Sequence, residues 1–107
     1  MKISELADKL NLEKLSGSSD KDISSCYISD LLSRVLCGCQ EGDVWITVQS
    51  SINMVAVAVM VEAACVILPE GLTAESNVIE RANTEDLTIF TSKETAYALA
   101  KKNSAMI

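Results

Sequence analysis

The sequence predicts an α/β domain of three layers, α/β/α, built on a small and mainly parallel sheet. Three observations carry that expectation. Residues 44–100 run strand-like, helix-like, three times over, and that order means parallel pairing through right-handed crossovers. The strand-like runs Val44-Trp45-Ile46-Thr47-Val48, Cys65-Val66-Ile67-Leu68 and Leu87-Thr88-Ile89-Phe90-Thr91 are short and largely apolar, as strands covered on both faces are. At 107 residues the chain fits one domain, residues 1–107, large enough for one real core.

The elements follow in order. Residues 4–10 read as an opening helix, with Ser4 as candidate N-cap and Glu5 near the positive end of the dipole. Residues 12–15 read as a short strand, and Ser16-Gly17-Ser18-Ser19-Asp20 as a loop too short to separate domains. Residues 23–28 read as a strand. Ser29-Asp30 then caps a helix to about Cys37, with Leu31, Leu32, Val35 and Leu36 at helical spacing and Gly38 as its stop. Ser50 or Ser51 caps a helix from Ile52 to about Ala64, and Thr73 opens another to about Asn83. Ser92 caps the last helix, which turns Ala96, Leu99 and Ala100 inward and carries Lys101 and Lys102 at its favourable end.

Composition removes several functions. The net charge is −6 and the pI about 4.5, with nine scattered basic residues, so nucleic acid is not the expected partner. No secretory signal is visible, and the greasiest stretch, 52–68, is short and broken by Glu62. Neither export nor a membrane span is expected, and a cytoplasmic location is. Cys26, Cys37, Cys39 and Cys65 are expected as free thiols, with Cys26 and Cys65 acting as small buried hydrophobes. There is no histidine, which excludes His-based triads and mixed Cys/His zinc sites. No GxxxxGK[ST] or GxGxxG occurs among Gly17, Gly38, Gly42 and Gly71, so the usual triphosphate cradles are missing. No catalytic residue, metal or cofactor is expected. The acidic pairs Asp20/Asp22 and Glu85/Asp86 read as solvated turns.

The segment 52–63 stands apart. Its strongly polar residues are Asn53 and Glu62 alone, which at about 100° per residue lie roughly opposite one another. A helix apolar all round is normally buried all round. A symmetric dimer is the simplest cover, with Met54, Val55, Val57, Ala58, Met60 and Val61 as interface candidates. Cover by the chain's own elements is the plainer alternative.

In parallel sheets, ligands sit beyond the carboxyl ends of the strands. The three strand-to-helix turns there supply the candidate ligand residues Ser50, Ser51 and Asn53, then Glu70, Gly71 and Thr73, then Thr91, Ser92 and Thr95. Hydroxyls beside helix N-termini suit a small anion or a nucleotide phosphate. Plain N-capping would account for the same hydroxyls.

From Gly42-Asp43-Val44-Trp45-Ile46-Thr47 onward, with a lead-in from Leu32, the chain resembles a DRTGG domain. Val66-Ile67-Leu68-Pro69-Glu70-Gly71-Leu72 stands at the family's Thr-Gly-Gly position and Thr91-Ser92-Lys93-Glu94-Thr95 at its last helix start. The signature itself is altered. Ser50-Ser51 stand where Asp-Arg is expected, and Pro69-Glu70 replace Thr-Gly, leaving Gly71. The resemblance implies a fold like the N-terminal domain of bacterial HPr kinase/phosphorylase, whose kinase core is a separate P-loop domain. It also implies a role like that of related domains beside CBS domains in regulated pyrophosphatases, in dimerisation and adenine nucleotide sensing. The resulting expectation is a stand-alone regulatory, ligand-sensing homodimer without catalysis. The alternative is a structural or partner-binding protein whose ligand site has decayed. A kinase acting on a serine of HPr would need the absent P-loop.

Overall fold

The computed structural model describes all 107 residues. Five strands form one sheet in the order β1-β5-β4-β3-β2: β1 Glu13–Ser16, β2 Cys26–Ile28, β3 Val44–Ile46, β4 Cys65–Leu68 and β5 Ile89–Thr91. Four are parallel, with Val44 facing both Cys26 and Cys65, and Leu68 facing Thr91. β1 alone runs antiparallel, along β5, with a register shift between Lys14 and Ser16. The expected three-layer, mainly parallel architecture is what the chain adopts.

The helices are α1 Ile3–Leu10, α2 Leu32–Gly38, α3 Ile52–Met60, α4 Ser76–Thr84 and α5 Ala96–Ser104. Strands β2 to β5 are laid down side by side in one direction, so three right-handed crossovers must put α2, α3 and α4 on one face. That face buries Val35, Trp45, Met54, Val55, Val57, Ala58, Val66, Val78 and Ala82. The other face packs α1 and α5 through Ile3, Leu6, Leu10, Val44, Ile67, Phe90 and Leu99. Along β3 the side chains alternate between the two cores, Val44 and Ile46 to one and Trp45 to the other, as the period of two requires.

This arrangement corrects the reading of 52–63. α3 ends at Met60, and Glu62 follows in the left-handed region at φ 58°. Met54, Val55, Val57 and Ala58 are buried inside the chain, because α2 flanks α3 on one side and α4 on the other. They cannot meet a partner. Val61 is half-buried, and Met60, 70% exposed, is the one interface candidate fully at the surface, beside Ala56 and Val59.

Several boundaries also differ. Lys2 takes the N-cap position of α1, while Ser4 donates its N–H and hydroxyl to the Asp20 carboxylate at 3.0 and 2.8 Å. Gly38 is the last residue of α2, with Cys39 in the C-cap position; a Cβ on Gly38 would sit 2.5 Å from the Tyr27 hydroxyl. Asp30 caps nothing, and instead accepts from the Thr47 hydroxyl and the Val48 N–H, both at 2.9 Å, tying the loops after β2 and β3 together. α4 begins at Ser76, three residues beyond Thr73. The chain first turns through Glu70 and Gly71 at φ 59° and 71°. α5 begins at Ala96 under Thr95, whose hydroxyl accepts from Ala98 N–H at 3.2 Å, so Ser92 is not its cap.

Candidate functional site

β4 and β5 are neighbours, yet the helices that follow them leave for opposite faces, α4 to one and α5 to the other. Where adjacent parallel strands part company in this way, a crevice opens beyond their carboxyl ends. Here it is a hollow of about 500 Å³. Its walls carry Gly71, Thr73, Thr91 and Ser92 from the two turns, Lys93 and Glu94 beside them, Lys9 from α1 and Lys102 from α5.

The two turns are laced to each other. Glu70 N–H donates to the Glu94 carbonyl at 2.8 Å, and Gly71 N–H to the Ser92 carbonyl at 2.7 Å. The Thr91 hydroxyl donates to the Leu72 carbonyl at 2.5 Å. The Ser92 hydroxyl oxygen accepts from Glu94 N–H at 3.1 Å, which leaves its proton to donate elsewhere. An ion pair joins Lys102 Nζ to Glu94 Oε1 across the hollow, while Glu94 Oε2 is shut off from water and has no partner. Lys9, Lys93 and Lys102 face Glu13 and Glu94 here. The balance is three minus two, or +1, in a chain of net −6.

Of the nine candidate ligand residues, the crevice gathers Gly71, Thr73, Thr91 and Ser92. Thr95 serves as the cap of α5, and Glu70 is exposed outside the hollow. Ser50, Ser51 and Asn53 lie apart, in a second hollow of about 550 Å³ between the starts of α3 and α4. That hollow holds Glu75 and no lysine or arginine, so its charge disfavours an anion. Sequence reasoning missed Lys9, Lys93 and Lys102. Lys93 stood within a candidate turn, and Lys102 had been read only against the helix dipole. Lys9 gave no sign, since it reaches the site through the packing of α1 beside α5.

No other chemistry converges. The four cysteines are free, and burial pushes the Cys26 and Cys39 thiols up to about 11 and Cys65 higher still. These three are held as thiols, which are poor nucleophiles. No cluster of three or more His, Cys, Asp or Glu side chains could hold a metal ion, and no helix is long and apolar enough to cross a membrane.

No protein-family model matches this chain, and no curated protein sequence does. Its backbone is similar to a solved structure, that of the CBS and DRTGG domains of the regulatory region of Clostridium perfringens pyrophosphatase, complexed with the activator diadenosine tetraphosphate. The TM-score is 0.72 at 16% identity, over 92% of this chain and 44% of that one. The chain thus spans less than half of the structure it matches. Its fold is that of a DRTGG-like domain, as the sequence resemblance implies.

Proposed function

We propose that this chain is a regulatory, ligand-sensing module that takes a small anion, such as a nucleotide, in the crevice between β4 and β5 and catalyses no reaction. One observation carries the reading. Three of the nine basic residues of an acidic chain meet in one hollow, at the place where parallel sheets hold ligands. The hollow has no histidine, cysteine or metal-ligand cluster beside it that could perform chemistry. The pyrophosphatase regulatory region of similar fold is a complex with a nucleotide activator, which favours the same role here.

The module acts as a homodimer in the cytoplasm. Its surface for self-association is the exposed stripe of α3, where Val59 is 37% and Met60 70% exposed, supporting an isologous contact. A thermal-shift panel of nucleotides together with native mass measurement tests both parts. Ligand at 100 times its dissociation constant should add about 2.7 kcal/mol of stability, and the mass should be that of two chains. A flat panel would favour the second reading, a partner-binding protein whose site has decayed. The observation on that side is Glu94, which already occupies Lys102.

A further inference from the structure

Resting on that reading of the crevice, we infer that it recognises an oligophosphate chain and not a nucleobase, and that the Glu94–Lys102 ion pair is a latch the phosphates displace. A base needs a flat apolar or aromatic surface to lie on. Among the eleven residues lining the hollow, one is hydrophobic, Leu10, and none is aromatic. The cations, by contrast, come from three separate places: Lys9 from α1, Lys93 from the turn after β5 and Lys102 from α5. Ammonium groups are compact point charges that fit phosphate oxygens in many geometries. Several set around one space suit a ligand carrying several charges.

The latch follows from the state of Glu94. Its Oε1 accepts from Lys102, its Oε2 is dry and unpartnered, and an ion pair about half exposed is held weakly. An arriving phosphate offers Lys102 more negative charge than the carboxylate does and repels Glu94. That frees Glu94 Oε2 to reach water and completes a ring of three lysines around the anion.

Calorimetric titration of the full chain with phosphate, pyrophosphate, tripolyphosphate, ATP and adenosine tests this. Affinity should rise about fivefold with each added phosphate at low salt. ATP should match tripolyphosphate within about threefold, and adenosine should give no heat. Glu94→Gln should tighten tripolyphosphate about fivefold, and Lys93→Ala should loosen it by a similar factor. The hydrogen bonds of Glu94 N–H and C=O are backbone bonds that the first change leaves intact. Binding of adenosine, or of ATP while tripolyphosphate stays silent, would overturn the inference and leave the ligand-sensing reading standing. Silence from every compound would remove both. An unchanged or weakened affinity in folded Glu94→Gln would refute the latch.

Discussion

Helices α3 and α5 are each nine residues long and pack on opposite faces of one sheet, yet they do opposite jobs. α3 is oily on every side and spends itself inward, burying Met54, Val55, Val57 and Ala58 between two flanking helices. α5 buries Leu99 and Asn103 and sends Lys102 into the crevice. Place in the layer, more than composition, sets what each can offer. A middle helix of three has its inner face and both flanks covered by its own chain, whereas a helix at a switch of faces borders open space.

Five substitutions sharpen or break that contrast. Met54→Ala, at a side chain with no exposure, should cost about 2–5 kcal/mol in urea unfolding; a far smaller loss would mean α3 is not the enclosed helix described here. Asn103 is 1% exposed, and neither its amide nitrogen nor its oxygen has a partner. Asn103→Leu should therefore raise stability by about 1–3 kcal/mol in the same assay. The caps should also separate the two helices. Thr95 makes its cap bond and Ser51 makes none, so Thr95→Ala should lower stability by about 1 kcal/mol and Ser51→Ala by a few tenths at most. Least of all, Met60→Ser should move folding stability by less than about 0.5 kcal/mol, while shifting native mass from two chains to one.

The fold class was legible because strands covered on both faces leave short apolar runs and their crossovers leave helix-length segments between them. Residues 44–100 show both signals plainly. Cap positions were less legible, since Ser4, Asp30 and Ser92 have the right chemistry but spend it on Asp20, the Thr47–Val48 loop and Glu94. Composition could not reveal that α3 would be walled in. That depends on three crossovers advancing the same way, which is a property of strand order and not of any one helix. The site was half legible. Turns at strand ends named Gly71, Thr73, Thr91 and Ser92, but Lys9 joins them only once α1 and α5 share a face.

The paired hydrogen bonds from Glu70 and Gly71 to the carbonyls of Glu94 and Ser92 tie the two turns at the rim of the crevice to each other. A guest that shifts one turn must drag the other or break two bonds, each worth about 1 kcal/mol net. The dragged turn leads directly into α4, and α4 leans on α3. Any shift of that rim therefore bears first on α4, which packs on the face of the sheet opposite α1 and α5.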